Sequence, residues 1–188
     1  NKIETFNSTN TWCWQQGCRL QFYPSNENHV IFNKIVGDNY GAVIYDIEKK
    51  ESVREINYPV YALDSKGSFA LSLNFSRLQR LRPGYGYSVL PDQTIDDFQP
   101  ADDGVWLVDI NNNKAELLIS LMELSEFEPD KTTKNAEHYV NHLIFSPDDR
   151  KFMFFHIWNV DNKRYSRTFI YSMENKHLRL LDKDSLAS

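Results

Sequence analysis

Three stretches of this 188-residue sequence decide its fold: AVIYDIEKKESVREI at residues 42–56, VWLVDINNNKAELLI at 105–119 and TFIYSMENKHLRLLD at 168–182. Each reads as an apolar strand, a tight polar turn and a second, amphipathic strand. They start 63 residues apart both times (105 − 42 and 168 − 105). A matching unit lies ahead of each: RLQFYPSNENHVIFN (19–33), PVYALDSKGSFALSL (59–73) and HLIFSPDDRKFMFFH (142–156). Their turns SNEN, SKGS and PDDR carry the residues that tight turns favour.

Each repeat is thus four antiparallel strands in a meander. Units of this kind in tandem are the blades of a β-propeller, so the expected class is all-β. The blades are expected at about 19–57, 58–121 and 139–182 within a single domain over 1–188. The second is lengthened by an insertion at 76–103. A linker at 122–137 is acidic at first and has room for a helical turn or two. Propellers have four to eight blades, and an open array leaves strand edges unpaired. The expectation is therefore part of a larger, six- to eight-bladed propeller, or a unit completed by self-association. An open β-sandwich of hairpin repeats is the alternative.

Composition narrows the function. The net charge is −5, with 25% charged residues, which argues against nucleic acid as a partner because such proteins present a basic face. No apolar run approaches the ~20 residues of a membrane span. The polar residues after Asn1 lack the pattern of a signal peptide, and no initiator Met is present, so a trimmed N-terminus and a cytoplasmic location are expected. Cys13 and Cys18 are the two cysteines. Their spacing is not C-x-x-C, and free thiols in a reducing compartment are expected.

HLIFSPDDRKFMFFH resembles the FSPDG strand–turn–strand units of TolB-like, WD-type propellers. TWCWQQGCRLQFYP (11–24), SRLQRLRPGYGYS (76–88) and EHYVNHLIFSPDDRKFMFFHIW (137–158) are similar to bacterial propeller proteins grouped with oligogalacturonate lyase. That resemblance implies binding or processing of an acidic oligosaccharide, by lyase-type β-elimination. The lyase uses a divalent metal, manganese, held by a His cluster and a Gln, with another His as base. The present sequence departs from it, having no H-x-H motif with a nearby Gln. The alternative function is a non-catalytic scaffold for protein–protein interaction.

Meander geometry sorts the candidate residues. The loop into a first strand and the connection from second to third strand lie at one end of a blade. Gln15, Gln16, His138, His142, His156 and Trp158 fall there, with Arg77, Arg80, Arg82, Tyr85 and Tyr87 of the insertion. His29 and His177 fall at the opposite end. Arginine offers a planar fork to a carboxylate, and tyrosine a flat face to a sugar ring. Arg77, Tyr85, Tyr87, Gln15, Gln16 and Trp158 are therefore read as ligand-binding, and Arg80 or Arg82 as the cation that stabilises developing charge. The bland reading pairs these arginines with Asp96, Asp97, Asp102 and Asp103. His156 is the candidate base by its position in the resemblance. His138 and His142 are candidate metal ligands. Four strand residues at roughly 3.3 Å each separate them by about 13 Å, which makes His142 with His156 the better pair. Structural hydrogen bonding is the other reading of all three. Trp12 and Trp14 are expected to pack the rim of blade one. No G-x-S-x-G elbow, P-loop or G-x-G-x-x-G occurs; Gly84 and Gly86 read as turn residues.

Overall fold

A computed structural model describes residues 3–183. Three four-stranded antiparallel meanders make up the fold, as the repeat requires. Blade one comprises β1 (Gln21–Phe22), β2 (His29–Val36), β3 (Asn39–Asp46) and β4 (Glu51–Ile56). Blade two comprises β5 (Ala62–Leu63), β6 (Phe69–Ser72), β7 (Gly104–Asp109) and β8 (Lys114–Ser120). Blade three comprises β9 (Glu137–Phe145), β10 (Lys151–Val160), β11 (Lys163–Ser172) and β12 (His177–Asp182). Among the described residues no helix is long and apolar enough to cross a membrane.

The 63-residue recurrence has a local cause. Each turn from third to fourth strand ends on a left-handed residue: Lys50 (φ 60°), Asn113 (52°) and Lys176 (51°). In each blade the fourth strand then carries one residue too many for its partner. Val53, Leu118 and Leu181 are skipped by the pairing; the bulge falls at the same place in the repeat in blades two and three and two residues earlier in blade one. Connections from second to third strand are two-residue hairpins in blade one (Gly37–Asp38) and blade three (Asp161–Asn162). Positive φ at Gly37, Asp161 and Asn162 suits such tight hairpins.

In blade two the same connection is replaced by residues 73–103. Helix was expected in the linker alone, but the insertion opens with α1 (Phe75–Leu81). The Asn74 side chain caps it by accepting from the Arg77 N–H. The linker begins with α2 (Leu121–Glu126), whose Ser120 and Glu123 form a reciprocal capping box. Phe75 and Leu78 of α1 and Leu121 and Leu124 of α2 enter the core between blades two and three, with Phe154 and Phe169. A smaller core between blades one and two is aliphatic, built on Ile31, Ile44, Ile56, Val108 and Ile110.

The stretch at 11–18 anchors the insertion. Cys13 is buried in a tight turn closed by Cys13–Gly17 backbone hydrogen bonds. Its thiol donates to the Tyr85 carbonyl at 3.3 Å, and the Gln15 N–H donates to the Gly84 carbonyl at 3.0 Å. Cys13 and Cys18 are both free thiols. Trp12 and Trp14 do not pack the rim as expected. They meet each other edge to face at 4.9 Å, and Trp14 remains 84% exposed. Its neighbour is Gly84 of the short insertion turn, which offers little surface to cover an indole.

Candidate functional site

The first strands of the three blades frame a concavity of about 740 Å³. Gln21 of β1, Leu63 of β5 and His142–Phe145 of β9 form its length. Gln15, Gln16, Arg19 and Tyr61 line one end, and Ser65 and Asp149 the other. Its polar end is organised on one phenol. Tyr61 Oη accepts from Gln16 Nε2 (2.7 Å) and from the His142 N–H (3.1 Å), and donates to Asn141 Oδ1 (3.0 Å). Arg19 lies over the Tyr61 ring at 4.1 Å and donates to the Tyr61 carbonyl from Nε (2.7 Å) and Nη2. The segment entering blade one (Gln16, Arg19) and β9 of blade three (Asn141, His142) thus meet at Tyr61 of blade two.

His142 enters the concavity because of a fault in β9. Its backbone is left-handed, with φ 54°. Pairing with β10 slips there: Asn141 opposes Phe155, yet Ile144 opposes Met153. A regular strand would put His138, Val140 and His142 on one face. The extra residue instead re-aims His142, as bulges beside functional sites do. The imidazole packs edge to face on Phe155 (5.2 Å) and Tyr85 (6.3 Å). Burial, then the charges of Arg82 and Arg19, hold its pKa below the usual value, so the ring is neutral near pH 7. Neither Arg19 nor Arg82 has an ion-pair partner among the described residues.

The remaining candidates lie elsewhere. Arg77 is fully buried and spends its guanidinium on the chain: Nε on the His138 carbonyl, Nη1 on Thr94 and the Asp97 carbonyl, Nη2 on the Phe98 carbonyl. Arg80 bridges Asp92 (2.9 Å) and Glu137 (2.6 Å). Both arginines pin the insertion to blade three and offer no free fork to a ligand. Tyr87 is buried against Phe75 and its hydroxyl accepts from Asn33 Nδ2 at 2.9 Å, so it too is structural. Trp158 is buried in blade three and donates to Thr132 Oγ1.

His156 is sealed, with 0% exposure, and so is His138. Neither borders the concavity, which corrects the expectation of one shared depression and of His156 as its base. Their partners fix the tautomers. Arg167 Nε can only donate, so His156 Nδ1 accepts (3.2 Å). His156 Nε2–H then donates to His138 Nδ1 (2.7 Å), and His138 Nε2–H to the Thr133 carbonyl (3.0 Å). Every ring nitrogen of the pair is used. Burial lowers the His138 pKa to about 4 and takes His156 well below its usual value. A metal on His138 and His142 or on His142 and His156 does not fit, because only His142 has a nitrogen to offer. Among the described residues no group of three or more His, Cys, Asp or Glu is placed to hold a metal.

Arg19, Tyr61 and Asn141 were not singled out from sequence. Tyr61 sits in the apolar run PVYAL and reads as core, while Arg19 reads as a strand boundary. No spacing marks either, because their contacts join residues 42 to 80 positions apart.

No protein-family model matches the sequence, and no curated protein matches it. Among solved structures it is similar to the tricorn protease, with TM-score 0.51 and 13% identity over 86% of this chain and 12% of that one. Pyrococcus horikoshii acylaminoacyl peptidase gives TM-score 0.49 and 10% identity over 95% of this chain and 27% of that one. An oligogalacturonate lyase in complex with manganese gives 0.34 and 9% over 82% and 50%. The chain therefore spans a minor part of the first two proteins. At these identities the likeness concerns fold alone, and it is to β-propeller-type structures.

Proposed function

We propose that these blades form the recognition part of a β-propeller and take a small acidic, sugar-like ligand in the concavity between their first strands. The observation that carries this reading is His142. A non-glycine residue in the left-handed region within a strand costs about 1 kcal/mol or more, and here that cost turns a neutral imidazole toward the concavity, near two guanidiniums without carboxylate partners. The amides of Gln15 and Gln16 supply hydroxyl-matching groups, and the charges of Arg19 and Arg82 favour a carboxylate. Turnover by β-elimination would fall to His142, since His156 has no access to ligand.

Calorimetric titration with an oligogalacturonate and with a neutral cello-oligosaccharide of equal length tests this. The acidic sugar should bind and the neutral one should not. His142→Ala should weaken binding about tenfold or more, the loss of one hydrogen bond to a charged group. His142→Gly should weaken it equally while raising stability by about 1 kcal/mol, because glycine accepts the left-handed backbone. Equal binding of both sugars, or a His142→Ala variant that binds like the parent, sinks the reading. A protein-interaction surface is the second reading, favoured by the exposed Trp12–Trp14 pair.

A further inference from the structure

The insertion of blade two is tied at its base by its own two ends, where Asn74 Nδ2 donates to Asp103 Oδ2 at 2.8 Å. Beside this bond lies a cavity of about 290 Å³. Tyr58 and Trp106 line it with aromatic rings, Ala115 of β8 with a methyl group, and Asp102 and Asp103 with carboxyl groups. It shares no lining residue with the concavity between the first strands. Asp103 is only 6% exposed. Its Oδ1 accepts from the Gly104 N–H (2.8 Å) and from Trp106 Nε1 (3.5 Å). A carboxylate offers about four acceptor positions, so these neutral donors leave one, on Oδ2. Among the described residues neither Asp102 nor Asp103 has an ion-pair partner. Arg77 acts on Asp103 only through space, since its guanidinium is spent on Thr94 and on carbonyls. Burial pushes the Asp103 pKa up, and the three donors and the Arg77 charge offset this only in part.

A buried carboxylate without a counter-cation is unfavourable, and a cation brought to it relieves that cost. Aromatic rings attract the same kind of charge. We infer that this cavity binds an organic ammonium, whose N–H donates to the remaining position on Asp103 Oδ2 while Tyr58 and Trp106 flank its charge. Asp102, exposed beside Asp103, adds a second negative charge at the same place. The net charge of −5 favours the approach of a cation. Tyr58 and Asn74 also line a larger concavity of about 770 Å³, together with Tyr40 and Gln93. The remainder of an amine-bearing molecule therefore has a place to lie. This site is independent of the acidic ligand proposed above, because it lies in a different cavity and selects the opposite charge.

The probes are butylammonium, tetramethylammonium and neutral butanol. Each is titrated separately against the parent chain at constant ionic strength, with sodium as the reference, and both affinity and melting temperature are read. Butylammonium should bind and raise the melting temperature where butanol and sodium do not. Tetramethylammonium has no N–H to donate and should bind more weakly. Asp103→Asn should weaken butylammonium binding about tenfold or more, the loss of a hydrogen bond to a charged group. That variant also touches the tie to Asn74, so a second one leaves Asp103 in place: Ala115→Leu, which fills the cavity from β8, should weaken binding as much. Glu27→Gln removes an exposed charge from the turn between β1 and β2 and should leave binding unchanged. The inference is overturned if butylammonium does not differ from sodium or butanol, or if tetramethylammonium binds as tightly. It is overturned equally if Asp103→Asn or Ala115→Leu binds like the parent, or if Glu27→Gln weakens binding as much as they do.

Discussion

Acid should loosen this fold well before its carboxylates titrate. The His138–His156 pair is neutral in the native state, and both rings return to water on unfolding. For His138 the native pKa of about 4 lies below the unfolded value of 6.5. Between those values the unfolded chain binds the extra proton, so the stabilisation is complete above the unfolded pKa and is lost as pH falls toward 4. Moving from about pH 7.5 to about pH 5 costs about 2 kcal/mol from His138 alone, at 1.36 kcal/mol per unit of differential protonation. His156 and His142, both lowered, add in the same sense. Asp46, Asp109 and Asp130, held low by hydrogen bonds, lose their contribution only below the ordinary carboxylate range. Asp103, raised by burial, works in the opposite direction. Urea unfolding followed by tryptophan fluorescence reads the difference as a midpoint about 1 M lower at the acid pH, for a slope of about 2 kcal/mol per M. Equal midpoints at the two pH values refute the reasoning. So does an acid shift that survives unchanged in a His138→Gln, His156→Gln double variant.

Arg77→Met should cost about 3 kcal/mol or more in the same assay, because it strands the buried carbonyls of His138 and residues 94–98; a loss under 1 kcal/mol would show the insertion to be held otherwise. Gly86→Ala should lower the melting temperature and loosen the insertion, since an added Cβ would sit 2.1 Å from the Phe75 carbonyl oxygen and 2.4 Å from the Gln79 nitrogen; limited proteolysis should then cut within 73–103, and an unchanged digest would contradict the packing. Both cysteines should label in unfolded protein, with Cys13 the slower in native protein because it is buried and bonded to the Tyr85 carbonyl. Equal native rates would count against that turn.

The architecture was legible because it is coded locally. Asp46, Asp109 and Ser172 each end a third strand four residues before a left-handed turn position, and strand ends and turn positions alike recur at the interval seen in the sequence. The site was legible only in part. Sorting residues by the end of the blade on which they fall correctly brought segment 11–18 to the insertion, through Gln15 and Gly84. It said nothing of faces. His138, His156 and Trp158 share the face of blade three that turns to the core, where they stack on one another. His142 escaped that face through a one-residue slip that no pattern in EHYVNHLIF announces. The role of Arg77 was hidden too, because its main acceptor lies 61 residues away.

The extra residues Val53, Leu118 and Leu181 lie on the outermost strand of every blade. A strand that is kinked in mid-course is a poor template for a further strand. Blades built on this repeat can therefore be copied in tandem by gene duplication without each new copy adding a straight, adhesive border from which fibrils would grow. The 63-residue unit carries its own safeguard, and an array of such units is free to change its number of blades through evolution while solubility is kept.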